Sequence, residues 1–168
     1  REVRQPRDLE GLGGLVLPGG ESTTQLRLIQ RFGLWAGLES VVRSGVPVLG
    51  TCAGLILSAS QVSGPEQRSF GWLGVSVQRN GWGRQVFSFE AVADEETLDA
   101  SLNKTPMPLL FIRAPRITSV DADVEVLARF KGEPILVRQN AVWGATFHPE
   151  LSGDDRIHQL AFGRGSVP

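Results

Sequence analysis

The chain has 168 residues, 41% of them hydrophobic and 21% charged, a balance that suits a single α/β-sized domain over residues 1–168. A net charge of -1 offers no basic footprint for nucleic acid or an anionic membrane surface, and no apolar run is long enough to span a bilayer. The only cysteine, Cys52, excludes an internal disulfide, fits a reducing cytoplasmic setting and raises the question of what its thiol does.

In chain order, Leu12 to Leu17 reads as a buried strand that ends in a tight turn at Pro18-Gly19-Gly20. Ser22, Thr23 or Thr24 suits the cap of a following helix whose apolar side holds Leu26, Leu28, Ile29 and Phe32, with Gly33 closing it. A second helix is expected over Trp35 to Val42, stopped by Gly45. Val46 to Leu49 is a buried strand, followed by Gly50-Thr51-Cys52-Ala53-Gly54 and a helix through Leu55, Ile56, Leu57 and Ala59. Two strand–turn–helix units in succession predict a parallel sheet with helices on its faces.

The middle of the chain alternates over Gly74 to Arg79 and again over Val86 to Phe89, with Gly81 and Gly83 between, which predicts a hairpin or a more antiparallel section. Leu109 to Ile112 reads as a strand ending at Arg113-Ala114-Pro115. Val124 to Phe130 and Ile135 to Gln139 form a hairpin pattern around Gly132-Glu133-Pro134. A strand over Ala141 to Phe147 leads into His148-Pro149-Glu150, and Asp154 to Phe162 reads as a final helix.

Cys52 lies in a Gly-x-Cys-x-Gly turn between an apolar strand and an apolar helix. Such an elbow lifts a nucleophile out of the sheet and sets it at a helix N-terminus, whose positive end favours thiolate. A free cysteine also serves as a small core residue, and short glycine patterns recur by chance. His148 shifts the balance, because a loop at the same sheet edge brings an imidazole to the thiol. Glu150 is then placed to orient that ring, as the carboxylate of a triad does. Paired glycines at Gly19-Gly20 expose backbone N–H groups that suit an oxyanion, with the N–H of Ala53 as a second donor; a plain capped turn explains the same residues. Glycine on both sides also lets that peptide take either of two orientations. No lysine follows these glycines as a phosphate loop requires. His158 reads as a solvated helical residue, and no spacing suits a metal.

Five blocks together carry a resemblance: Leu17 to Thr24, Gly50 to Ile56, Arg79-Asn80 with Gly83-Arg84-Gln85-Val86 and Ser88-Phe89-Glu90, Phe111-Ile112-Arg113-Ala114-Pro115, and Phe147 to Leu151. In this order they resemble the triad class I-type glutamine amidotransferases, and more narrowly the glutaminase subunits of pyridoxal 5′-phosphate synthase. The resemblance implies a three-layer α/β sandwich whose mostly parallel central sheet has helices on both faces. It implies that Cys52, His148 and Glu150 form the catalytic triad and that Gly20 and Ala53 supply the oxyanion donors. It further implies that Gly19, Gly20, Glu21, Arg79, Ile112 and Arg113 bind L-glutamine. The implied activity is glutamine hydrolysis to glutamate and ammonia without a cofactor. The ammonia would pass to a (β/α)8-barrel synthase subunit, which joins it with ribose 5-phosphate and glyceraldehyde 3-phosphate in an assembly of twelve plus twelve subunits. The alternatives are a glutaminase of another amidotransferase or a silent docking subunit. The chain departs from the family in lacking an opening Leu-Gln-Gly segment and a nearby Glu-His, so the N-terminal strand and helix are expected to be missing. It also has Gly81-Trp82 where the family has a small polar residue and phenylalanine.

Overall fold

A computed structural model describes residues 1–81, 88–103 and 105–163. Its first half runs β1 (Leu15–Leu17), α1 (Ser22–Arg31), α2 (Trp35–Arg43), β2 (Val48–Thr51), α3 (Ala53–Ser58), β3 (Ala59–Ser63) and β4 (Leu73–Gln78). The second half runs β5 (Ser88–Val92), β6 (Pro108–Ile112), β7 (Arg116–Val120), β8 (Glu125–Phe130), β9 (Glu133–Gln139), β10 (Val142–Ala145) and α4 (Arg156–Phe162). The central sheet has the order β1-β2-β10-β9-β8. It is parallel from β1 through β2 to β10 and antiparallel from β10 through β9 to β8. Every residue of β2 and of β10 is buried, which is why both read as unbroken small or apolar runs.

Alternation along the strands divides the core into two faces. Val48, Val137 and Val142 pack with α1, α2, α3 and the small sheet β3-β4-β7. Their neighbours Leu49, Leu136 and Trp143 point the other way, toward β6 and the Ile157 and Ala161 side of α4. Helices therefore cover both faces of a central sheet, as the α/β reading expected.

Three local expectations need correction. The helix over α1 is capped by Glu21, whose carboxylate accepts from the N–H groups of Thr23 and Thr24, and Ser22 opens the helix. Leu28 and Phe32 are close to half exposed and lie off the buried side, which is made by Leu26 and Ile29. The expected pairing of 74–79 with 86–89 is absent among the described residues. β4 lies parallel to β3 and antiparallel to β7, whereas β5 pairs with β6 from Ser88↔Ile112 to Val92↔Pro108. Alternation marks a strand without naming its partner, and that is where the expectation failed. Trp82, Gly83, Arg84, Gln85 and Val86 lie outside the described residues.

Candidate active site

The site is assembled where the parallel strands end. β2 runs directly into Cys52, which has φ 49° and ψ -100° and stands at the N-cap of α3. Few non-glycine residues adopt such a backbone, and here close packing on either side enforces it. A Cβ on Gly54 would overlap the Leu17 carbonyl of β1, and one on Gly50 would lie 2.7 Å from the Gly54 carbonyl carbon. Two glycines thus let α3 lie on the backbone of β1 and β2, and the chain between them must bend sharply at the cysteine.

Cys52 is 6% exposed, and its Sγ lies 3.8 Å from the Ile112 carbonyl at the end of β6. His148 follows β10, is itself buried, and places Nδ1 2.7 Å from Oε1 of Glu150. The neighbouring Cys52 sulfur, and then the hydrogen bond with Glu150, raise the imidazole pKa to about 9 against the opposing effect of burial. Burial pushes the Glu150 carboxyl up, but the His148 hydrogen bond, a backbone amide and the charges of His148 and His158 outweigh it and hold the carboxyl below its ordinary value. An imidazole favouring its proton beside a thiol is the arrangement that supports a thiolate–imidazolium pair. The ring also explains a glycine: a Cβ on Gly19 would run into Cε1 of His148.

Gly20, Glu21, Ser22, Cys52, Ile56, Arg79, Asn80, Ile112, Arg113 and His148 line one cavity of about 350 Å3. It therefore gathers most of the sequence-derived candidates, while Gly19 packs against the His148 ring, Glu150 bonds to that ring and Ala53 follows Cys52 at the start of α3. A larger open depression of about 820 Å3 over β3, β4 and β7 lies away from Cys52 and His148.

The charged groups around the cavity differ in how they are engaged. Glu21 caps α1, accepts from the Thr24 hydroxyl and pairs with Arg79 at 3.2 Å. The Thr24 hydroxyl and then the Thr23 amide pull its carboxyl pKa down to about 2. Arg79 also donates to the Thr23 hydroxyl. Arg113 is exposed, has a left-handed backbone at φ 45° and makes no ion pair among the described residues. Its guanidinium is available to an incoming carboxylate.

Sequence patterns missed the residues that brace this cavity. Oε1 of Gln67 accepts from the hydroxyls of Ser22 and Thr23 at 2.9 and 3.3 Å, and Nε2 of Gln25 donates to the carbonyls of Pro18 and Gly19. Asn80, which the resemblance included without a role, has φ 53° and lines the cavity beside Arg79. Side-chain amides that bond to loops leave no periodic signal. No group of three or more potential metal-ligating side chains occurs among the described residues.

The model of the SNO glutamine amidotransferase family matches residues 1–164. The chain belongs to this family. It is 45% identical to the pyridoxal 5′-phosphate synthase subunit PdxT of Kosmotoga olearia, over 94% of this chain and 80% of that one. It is 46% identical to the subunit of the same name from Deinococcus radiodurans, over 97% of this chain and 83% of that one. A crystal structure described as a glutamine amidotransferase superposes with a TM-score of 0.87 at 41% identity, covering 99% of this chain and 86% of that chain. A putative GMP synthase component from Thermoplasma acidophilum, with a TM-score of 0.60 at 18% identity over 95% of this chain and 75% of that one, shares the fold.

Proposed function

We propose that this chain is the glutaminase subunit of a pyridoxal 5′-phosphate synthase, acting as one glutaminase domain in the cytoplasm. The observation that carries the proposal is Cys52 on its strained elbow, lining one cavity of about 350 Å3 with a His148 that Glu150 orients. The PdxT names of its relatives support the choice of synthase.

In the first half of the reaction the Cys52 thiolate attacks the γ-amide carbon of glutamine, and the carbonyl oxygen becomes an oxyanion facing the N–H groups of Gly20 and Ala53. His148 gives its proton to the departing nitrogen, ammonia leaves, and a γ-glutamyl thioester remains on the sulfur. In the second half His148 takes a proton from water as the hydroxyl adds to the thioester carbon. Collapse of that adduct expels the thiolate and leaves glutamate. Glu150 keeps Nδ1 occupied, so that Nε2 is the nitrogen that moves the proton. Arg113 holds the α-carboxylate, while Arg79 and Glu21, already paired, shape the end of the cavity that receives the amino-acid head.

The ammonia serves a (β/α)8-barrel synthase subunit, in an assembly of twelve plus twelve, which combines it with ribose 5-phosphate and glyceraldehyde 3-phosphate. No cofactor is required for the hydrolytic half. Incubation with a glutamine-derived electrophile, followed by peptide mass spectrometry, tests the site. One adduct on Cys52, blocked by excess glutamine, is expected. Labelling that spares Cys52, or that glutamine does not slow, would contradict the assignment.

A further inference from the structure

The Gly19–Gly20 peptide is held by a side chain that belongs to none of the motifs. Gln25 lies in α1, and its Nε2 donates to the Pro18 carbonyl and to the Gly19 carbonyl, both at 3.0 Å. In a planar trans peptide the C=O and the next N–H point in opposite directions. With the Gly19 oxygen on Gln25, the Gly20 N–H is directed away from that side chain. Gly20 lines the cavity with Cys52 and His148, and its N–H enters none of the backbone hydrogen bonds among the described residues. The backbone of Gly20, at φ 130°, is one that glycine adopts freely. Glycine on both sides of a peptide makes turning it over inexpensive, so an external contact decides which way it faces. The reversed orientation would present the Gly19 carbonyl where the first has the Gly20 N–H, opposing negative charge instead of receiving it.

We propose that Gln25 is a positioning residue for the reaction, its amide clamping the Pro18 and Gly19 carbonyls so that the Gly20 N–H stays presented to the oxyanion. This rests on the glutaminase reading above. A Gln25 that donates to two carbonyls selects one orientation without touching substrate. Its effect therefore belongs to the transition state, where the oxyanion exists, and not to glutamine binding.

The test is steady-state glutamine hydrolysis by the chain in complex with the barrel synthase subunit. Gln25→Met keeps the length and removes both donors, and kcat is expected to fall about tenfold, the worth of a neutral hydrogen bond. Gln25→Glu turns a carboxylate on the two carbonyls, and kcat is expected to fall about 100-fold, as when an oxyanion donor is lost. Gln25→Lys restores a donor and should recover kcat to within about threefold of wild type. KM for glutamine should change by less than about twofold throughout. Unchanged kcat in both Gln25→Met and Gln25→Glu, or an effect confined to KM, would overturn the clamp. Wild type compared with Cys52→Ala reads the glutaminase assignment separately. A crystal structure of Gln25→Glu decides the clamp even without turnover: the Gly19 oxygen should have left residue 25, and an unmoved peptide would overturn the proposal.

Discussion

Cys52 occupies a backbone region that costs a non-glycine residue about 1–3 kcal/mol, and the close approach of Gly54 to β1 leaves it no alternative. Glycine would release that strain while adding about 0.5–1 kcal/mol of chain entropy to be lost on folding. Cys52→Gly is therefore expected to be more stable than Cys52→Ala by roughly 1 kcal/mol in urea titration, with both inactive. Equal midpoints would show that the elbow is unstrained. His148 carries a second consequence. Because the Cys52 sulfur is the leading cause of its raised pKa of about 9, Cys52→Ala should bring the imidazole back toward 6.5, as followed by its ring-proton NMR signals. The folded chain holds this proton more tightly than the unfolded one. The interaction thus stabilises fully below about pH 6.5 and is lost as pH rises through about 9. Wild type should lose stability relative to Cys52→Ala across that window, and parallel stability profiles would contradict the pairing. For Arg113, which has no carboxylate partner of its own among the described residues, Arg113→Ala should raise KM for glutamine at least tenfold with a smaller change in kcat. A collapsed kcat at constant KM would instead place the guanidinium in the chemistry.

At the scale of elements, β1, β2 and α3 meet through backbone, and Gly54 is the point of contact. Gly54→Ala would drive a methyl into the Leu17 carbonyl, where no flexible side chain can yield. A loss of about 3 kcal/mol or more is expected in thermal or urea unfolding, at the upper end of overpacking costs, together with displacement of Cys52 and loss of activity. A Gly54→Ala chain of wild-type stability would mean that α3 sits farther from β1. This junction was legible in the sequence because its cause is written there: an apolar strand, two glycines around a cysteine and an apolar helix. The placement of Cys52 and His148 was legible for the same reason, since each follows a strand that reads as apolar, and Glu150 stands two residues past His148. Arg79 and Arg113 came from the family resemblance, as no periodicity places them near Cys52. The pairing of β5 with β6 was not legible, because alternating exposure along Ser88–Val92 suits several neighbours. Equally hidden was the clamp at α4, where Arg156 pairs with Asp154 and donates to the carbonyls of Leu102, Asn103, Thr105 and Pro106. Its pattern is that of any solvated helix start. The Glu21 cap escaped because Ser22, Thr23 and Thr24 compete for the same role on paper, and only the geometry shows which residue turns back to the amides.

Across the whole molecule, β1, β2 and β10 run parallel and release their ends on one side, so Gly19–Gly20, Cys52 and His148 converge there although distant in sequence. Ligand sites at the carboxyl ends of parallel strands are a general consequence of this architecture. Layers on both faces of the sheet bury Cys52 and His148 together, so water screens the interaction between them little. The central claim is that this shared edge hydrolyses glutamine through the Cys52 sulfur on behalf of a synthase. It is tested most directly by measuring ammonia release from glutamine in the presence of the barrel synthase subunit, for wild type and Cys52→Ala side by side. Steady turnover by wild type and a loss of at least about 1000-fold in Cys52→Ala is the expected result. Turnover by Cys52→Ala at the wild-type rate, or none by wild type in the complex, would contradict it.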